Sequence, residues 1–214
     1  MKLTFITIFP ELILNFFKVG VLARAIKKGK LKINIINPRE FTSDLHQTVD
    51  GTPYGGGSGM IMKAPPIVSA IKKATGKKKS KSTLVILLSP SKKIFNQKMA
   101  AKLAKYQHLV FVCGRYEGID ARVEKYVDFK LSLGEFVLMG GEVAALAISE
   151  TVVRLVKDVL GNRDSLANES YSSKLYLEYP QYTRPEVFEG VKVPKVLLSG
   201  HHQKIEEWRK KKSK

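Results

Sequence analysis

The chain of 214 residues has room for one sizeable domain, alone or with a small second one. Hydrophobic residues make up 44% and charged residues 26%, so a core can form and a wholly disordered chain is excluded. The 37 lysines and arginines against 19 acidic residues give a net charge of +18, which favours a phosphate-rich partner. Because 29 of these residues are lysines and only 8 are arginines, charge alone does not separate nucleic-acid binding from a lysine-rich composition.

Cysteine and histidine usage narrows the class further. The single cysteine, Cys113, excludes an intramolecular disulfide framework and a cysteine-rich zinc site, and the four histidines show no H-x-x-x-H spacing. The apolar run Leu3–Phe9 is too short to span a membrane, and no cleavage site follows it. We therefore expect no metal centre, no membrane contact and a cytoplasmic location.

The predicted elements alternate between strands and helices through about residue 160. In chain order they are a strand over Leu3–Phe9, a helix from Pro10, a helix over Val21–Lys28, a strand over Leu31–Asn37, an irregular stretch over Thr42–Gly59, a helix over Pro65–Ala74, a strand over Thr83–Leu88, a helix over Asn96–Tyr106, a strand over Leu109–Cys113, a short helix from Asp120 and a long helix over Glu142–Val159. This alternation predicts an α/β domain with a parallel sheet over residues 1–160. A polar linker over 161–173 and a short basic domain over 174–214 follow.

Three turns come after predicted strands. They are Leu88-Ser89-Pro90, the segment Gly114–Gly118 and the segment Leu133–Gly141. Ligands of open α/β sheets bind outside the carboxyl ends of the strands, so these turns predict one shared pocket. No G-x-x-x-x-G-K-[ST] or G-x-G-x-x-G motif is present, which disfavours a P-loop protein and a dinucleotide-binding domain.

A set of five motifs occurs in one order along nearly the whole chain. The motifs are PYGGGSGM from Pro53, CGRYEGID from Cys113, GGE from Gly140, YPQYTRP from Tyr179 and VLLSGH from Val196. In this the chain resembles the bacterial tRNA (guanine-N1)-methyltransferases of the SPOUT class. The resemblance implies a parallel sheet with a deep trefoil knot, a small, mainly helical C-terminal domain that binds the tRNA anticodon arm, and a homodimer whose active site crosses the interface.

The resemblance also assigns residues to two ligands. S-adenosylmethionine, the methyl donor, would be bound by Leu88, Ser89, Pro90, Gly114, Tyr116, Glu117, Ser132, Leu133, Gly134, Glu135, Phe136, Val137, Leu138, Gly140 and Gly141. The tRNA would be bound by Tyr54, Gly57, Ser58 and Arg184. The methyl acceptor would be N1 of the guanine just 3′ of the anticodon.

Guanine N1 carries a proton at neutral pH, so methylation there needs a general base. The family uses an aspartate in the linker, and Glu169 stands at its place in this chain, one methylene longer. Asp164 is a rival for this role. Arg154 matches the family arginine that acts at guanine O6, where a cation stabilises the developing negative charge.

Two alternatives remain open from the sequence. The first is a methyltransferase of the same class that acts on another RNA, such as ribosomal RNA. The second is an RNA-binding module without catalysis, because Glu169 departs from the family's aspartate.

Overall fold

The computed structural model describes residues 1–160, 169–171 and 176–213. The chain divides into two compact units, Met1–Leu160 and Gly161–Lys214. No helix among the described residues is long and apolar enough to span a bilayer.

The first unit is built on a five-stranded parallel sheet. In chain order its strands and those of a short hairpin are β1 Lys2–Ile6, β2 Lys32–Ile36, β3 Asp50–Gly51, β4 Ile61–Met62, β5 Thr83–Leu88, β6 His108–Cys113 and β7 Phe129–Leu131. The sheet has the order β2-β1-β6-β5-β7, and β3 pairs with β4 separately. Leu88 at the end of β5 is in register with Cys113 of β6 and with Leu131 of β7. The loops that follow these three strands therefore start side by side.

Helices cover both faces of the sheet. They are α1 Pro10–Phe16, α2 Gly20–Lys27, α3 Ala64–Thr75, α4 Gln97–Leu103 and α5 Gly141–Val153, with 3₁₀ turns at Pro38–Phe41 and Ala121–Tyr126. Alternate residues of β6 divide the core: Leu109 and Phe111 pack with α1, α4 and α5, whereas Val110 and Val112 pack with α3. This three-layer arrangement confirms the predicted α/β fold class. The trefoil knot stays a prediction.

Two elements end earlier than predicted. β1 ends at Ile6, not at Phe9, since the Phe9 amide donates to Thr7 Oγ1 and leaves the ladder. Helix α5 ends at Val153, not at Val159. Leu155 and Val159 still pack on the core, so the apolar pattern runs on while the backbone turns.

The second unit contains a small hairpin and two helices. Its elements are β8 Val187–Phe188, β9 Val191–Lys192, α6 Lys195–Leu198 and α7 His202–Lys212. The ring of Trp208 on α7 lies 6.4 Å from the ring of Tyr179 and 6.3 Å from that of Tyr182, measured between centroids. These aromatic contacts fasten the extended segment before the hairpin to α7.

Candidate active site

The loops after β5, β6 and β7 enclose a cleft of about 220 Å³ at the carboxyl edge of the sheet. Its walls combine exposed backbone with apolar side chains. The lining residues are Leu88, Ser89, Pro90, Gly114, Arg115, Tyr116, Glu117, Gly118, Leu131, Ser132, Leu133, Phe136, Val137, Leu138, Met139, Gly140, Gly141 and Ala144. The three turns that follow predicted strands thus line one pocket, as the sequence predicts.

Most of the residues expected to bind the donor line this cleft. The exceptions are Gly134 and Glu135, which line a neighbouring cavity together with Ser91 and Lys92. Sequence reasoning missed Arg115, Gly118, Leu131, Met139 and Ala144. Arg115 lies inside the CGRYEGID motif between Gly114 and Tyr116, two residues that were expected to bind the donor. A charged residue between them was a signal in the sequence that Arg115 also lines the pocket.

The start of α5 packs tightly against the end of β6. The Gly141 amide donates to the Gly114 carbonyl at 2.9 Å. A Cβ at Gly141 would lie 2.8 Å from Cys113 Cα and 3.1 Å from the Gly114 nitrogen, closer than real Cβ atoms come. Glycine is required here because backbone atoms, which cannot rotate away, occupy the space.

The loop Gly114–Gly118 is fixed by hydrogen bonds to the end of the glycine-rich segment. Glu117 donates its amide to the Met60 carbonyl at 3.0 Å, and Met62 donates to the Gly118 carbonyl at 2.9 Å. Tyr116 and Gly118 both have positive φ, at 58° and 128°, which makes the sharp turn.

The glycine-rich segment therefore ends beside the cleft. Of the residues expected to bind substrate, Tyr54 is fully exposed and Gly57 and Ser58 are also exposed. Gly59, with φ at +83°, lies so close to Glu117 that a Cβ there would meet the glutamate Cγ at 2.5 Å. The segment is placed where it can contact a ligand that reaches into the cleft from solvent.

A buried ion pair lies behind the cleft. Glu142, in the first turn of α5, is fully buried and accepts hydrogen bonds from Thr7 Oγ1 at 2.6 Å and from Arg115 Nε at 2.8 Å. The Arg115 guanidinium also lies 4.5 Å from the centroid of the Phe9 ring. A buried carboxylate requires such partners, and here they tie β1, α5 and the loop after β6 together.

Cys113 ends β6 directly behind this ion pair. Burial, reinforced by the negative charge of Glu142, raises the pKa of its thiol well above the usual value, and Arg115 opposes this only in part. A fully buried thiol with a raised pKa stays protonated, so Cys113 has a packing role and is not a nucleophile.

Arg154 lies at the opposite end of α5 from the cleft. It follows the last residue of the helix and lines a separate cavity of about 380 Å³, with Phe16, Val19 and Glu150 among the other lining residues. At 1.5 Å per residue, α5 separates the two places by roughly 20 Å. The structure does not bring Arg154 to the cleft of its own chain.

Comparisons with known proteins agree with this geometry. The family model described as "tRNA (Guanine-1)-methyltransferase TrmD" matches residues 1–214. The chain belongs to this family. A tRNA (guanine-N(1)-)-methyltransferase of Clostridium perfringens strain 13 is 52% identical over 213 residues, which cover 100% of this chain and 88% of that protein. One of Dictyoglomus turgidum is 50% identical over 211 residues, covering 99% of this chain and 84% of that protein.

A solved relative supports the fold. The crystal structure of the tRNA (m1G37) methyltransferase from Aquifex aeolicus superposes with a TM-score of 0.81 at 39% identity. The match covers 97% of this chain and 87% of that one. The family resemblance drawn from the five motifs is thus confirmed, and the chain is an enzyme of the tRNA (guanine-1)-methyltransferase family.

The remaining predicted site residues lie in the second unit. Glu169 is half-buried, and the turn that carries it is fastened by two hydrogen bonds: Glu178 donates its amide to Ser170 Oγ at 3.0 Å, and Tyr171 donates to the Tyr176 carbonyl at 2.7 Å. Arg184 is exposed. Asp164 and most of the predicted linker lie outside the described residues.

Metal-ligating side chains do not cluster in the part of the chain that the structure describes. No group of three or more histidine, cysteine, aspartate or glutamate side chains there is arranged to hold an ion.

Proposed function

We propose that this protein transfers a methyl group from S-adenosylmethionine to N1 of the guanine on the 3′ side of the anticodon in tRNA. One observation carries the proposal: in a chain of this family, three loops at the carboxyl ends of adjacent strands enclose one cleft. The solved relative, a tRNA (m1G37) methyltransferase, supports the same acceptor class.

The cleft suits a donor held largely by backbone groups. A Cβ at Gly140 or Gly141 would overlap Arg115 or Cys113, so these glycines allow the backbone to pack closely in the wall of the cleft, while Leu138 contributes an apolar wall. When bound, the donor would supply a methyl group on a cationic sulfur, which would leave as a neutral thioether. We propose the fifteen donor residues given by the resemblance, within a trefoil-knotted sheet, as its binding site.

A carboxylate of this chain would remove the proton from guanine N1. We assign Glu169 as the general base for the N1 proton, since glutamate and aspartate differ by only about 0.4 in reference pKa. The hydrogen bonds at Ser170 and Tyr171 hold the turn that carries Glu169. Positioning matters because a displacement of about 1 Å can cost 10²-fold in rate.

A second copy of the chain would complete the site. Arg154, the proposed partner of guanine O6, lies roughly 20 Å along α5 from the cleft of its own chain. Apolar side chains on the neighbouring helices are exposed, with Leu12 of α1 at 47% and Val143 of α5 at 57%. A homodimer that pairs these faces would cover them and bring one copy's Arg154 to the other copy's cleft.

The second unit supplies basic groups for the tRNA. Arg184 is exposed, and the last turn of α7 carries Arg209 and the lysines Lys210, Lys211 and Lys212. Lysines and arginines neutralise phosphates without reading bases, so we assign them affinity for the anticodon arm and assign selectivity to the cleft. Tyr54, Gly57 and Ser58 would contact the guanine from the glycine-rich segment.

Transfer of a labelled methyl group to unmodified tRNA tests the function. We expect label in transcripts with guanine 3′ of the anticodon and none in transcripts that differ only by adenine there. Equal labelling of both would rule out guanine N1 as the acceptor. Label in ribosomal RNA alone would move the activity to the other RNA class.

Substitution of the base tests the mechanism. Glu169→Ala should lower turnover by about 10²–10⁴-fold, because one positioned general base contributes that factor. Glu169→Asp keeps a carboxylate but withdraws it by one methylene, so its turnover should lie between those of the wild-type protein and of Glu169→Ala. Donor affinity should be unchanged in both variants. Activity that survives Glu169→Ala and is lost in Asp164→Ala would transfer the role to Asp164.

A further inference from the structure

The cleft contains one arginine whose hydrogen bonds leave part of its guanidinium unused. Arg115 has five N–H donors, and Nε donates to buried Glu142. No other hydrogen bond joins its guanidinium to the residues that the structure describes. The two terminal nitrogens therefore keep four donors for a ligand.

The orientation of this guanidinium is fixed from three sides. Glu142 holds Nε at 2.8 Å and is itself held by Thr7, and the Phe9 ring covers one face at 4.5 Å. Gly140 lies so close that a Cβ there would overlap the Arg115 side chain. The side chain retains only 20% exposure, so its donors are pre-positioned in the wall of the cleft.

The free edge of the Arg115 guanidinium has the shape and donors to bind a carboxylate. Glu142 contacts Arg115 through Nε alone, so the ion pair is not bidentate. The two terminal nitrogens of the guanidinium therefore still match a planar carboxylate. Glu117, which also lines the cleft, would repel an anion, so the preference for a carboxylate rests on the hydrogen-bond donors of Arg115 and not on the net charge of the cleft.

We propose that Arg115 binds the carboxylate of the donor's methionine part, and that Glu142 is the residue that positions it. This rests on the proposed donor. S-adenosylmethionine has one carboxylate, separated from the sulfonium by three carbons. A bond between that carboxylate and the terminal nitrogens of Arg115 would anchor the end of the donor away from the reacting methyl.

The test compares two probes that differ only in this group, S-adenosylmethionine and decarboxylated S-adenosylmethionine, by calorimetry without RNA. The wild-type protein should bind the complete donor about 10- to 100-fold more tightly, the range for a charge-assisted pair. Arg115→Met should weaken the complete donor by that factor and leave the decarboxylated one within about threefold. Arg115→Lys keeps the charge and a partner for Glu142, so it guards against misfolding, and it should lose most of the preference.

Two further variants separate the roles. Lys92→Met removes an exposed cation beside the neighbouring cavity and should leave the preference unchanged. Glu142→Gln keeps an acceptor for Nε and should retain more of the preference than Glu142→Ala, which releases the arginine; melting temperatures check the fold of both.

Each other outcome is decisive. If both Arg115 variants weaken the two probes equally, the arginine only shapes the cleft and the inference is wrong. If donor binding is unchanged in both Arg115 variants, the inference is wrong as well; a fall in tRNA affinity, measured separately for the same variants, would then assign the arginine to RNA phosphate. If the wild-type protein binds neither probe, the proposed donor itself fails.

Discussion

The two ends of the parallel strands, here called the carboxyl edge and the amino edge of the sheet, have different surfaces. At the carboxyl edge, glycines and backbone groups after β5, β6 and β7 enclose a narrow cleft. At the amino edge, strands start at charged residues such as Lys2 and Lys32, and Lys30 pairs with Asp158 at 2.9 Å. Bare backbone can surround a small ligand closely, whereas solvated lysines favour contact with a polyanion. Helix α5 starts at the first edge with Gly141 and runs toward the second, where Arg154 follows its last residue.

The largest effect should come from mixing chains that are defective at opposite ends of α5. Leu138→Lys places a cation in the cleft at a position that is 38% exposed, and Arg154→Ala removes the proposed oxyanion partner. Each variant alone should lose about 10²-fold or more in turnover. Co-refolded one to one, they should recover about a quarter of wild-type activity, because half of the dimers then contain one intact site of two.

This experiment decides between a site that crosses the interface and one formed within a chain. Measured turnover of the mixture, with each separate variant as the control, is the readout. No recovery in a mixture shown to contain heterodimers, for example by a tag on one variant, would place cleft and arginine function in the same copy and contradict the proposed arrangement.

The second prediction concerns the packing of the carboxyl edge. Gly141→Ala places a methyl group 2.8 Å from Cys113 Cα, and overpacking of this kind costs 1–3 kcal/mol. Alanine regains up to about 1 kcal/mol of helix propensity, so we expect a net loss of about 1–2 kcal/mol in unfolding free energy. Thermal unfolding should show a melting temperature lower by roughly 2–8 °C.

Gly51→Ala is the matched control for that prediction. Its Cβ would meet only Lys63 Cε at 3.3 Å, the far end of a flexible side chain. The control should change the free energy by less than about 0.5 kcal/mol. Equal melting temperatures for the two variants would show that α5 can move away from β6 at no cost.

The difference between the edges also explains which features the sequence predicts. Strand β5 was predicted with its observed bounds, Thr83–Leu88. A short, continuous apolar run in a chain where strands and helices alternate is typical of a buried parallel strand. The cleft followed from topology, since the ends of parallel strands share one edge. The Arg115–Glu142 pair was not predicted, although an acid at the start of an otherwise apolar helix requires a partner.

Features that depend on distant contacts could not be read from local pattern. The Thr7 hydroxyl, which accepts from the Phe9 amide just beyond β1, also donates to Glu142, a residue 135 positions away. Arg154 was assigned to the active site from the family motif, yet only the length of α5 shows that its own cleft is out of reach. The distance between Arg154 and the cleft depends on where the backbone of α5 runs, which the sequence alone does not give.

The smallest effect is expected at the amino edge, where His108 starts β6. Its Nε2 lies 2.8 Å from the hydroxyl of buried Thr4, and burial, with a smaller contribution from Lys2, lowers its pKa to about 4. An unfolded histidine has a pKa near 6.5, so between about pH 6.5 and pH 4 the unfolded chain takes up a proton that the folded chain refuses. The free energy of unfolding should therefore fall as the pH is lowered through this window and stay flat above it. Water screens this half-buried ring, which keeps the effect small.

Urea unfolding between pH 7.5 and pH 4.5 measures this slope. His108→Gln keeps a hydrogen-bonding group for Thr4 but cannot titrate, so its unfolding free energy should fall less steeply than that of the wild-type protein. His46→Gln, at an exposed loop position, is the control and should retain the wild-type slope. A slope in His108→Gln as steep as in the wild-type protein would mean that carboxylates alone set the acid sensitivity. The amino edge would then differ from the carboxyl edge in its ligand contacts but would make no separate contribution to the pH dependence of unfolding.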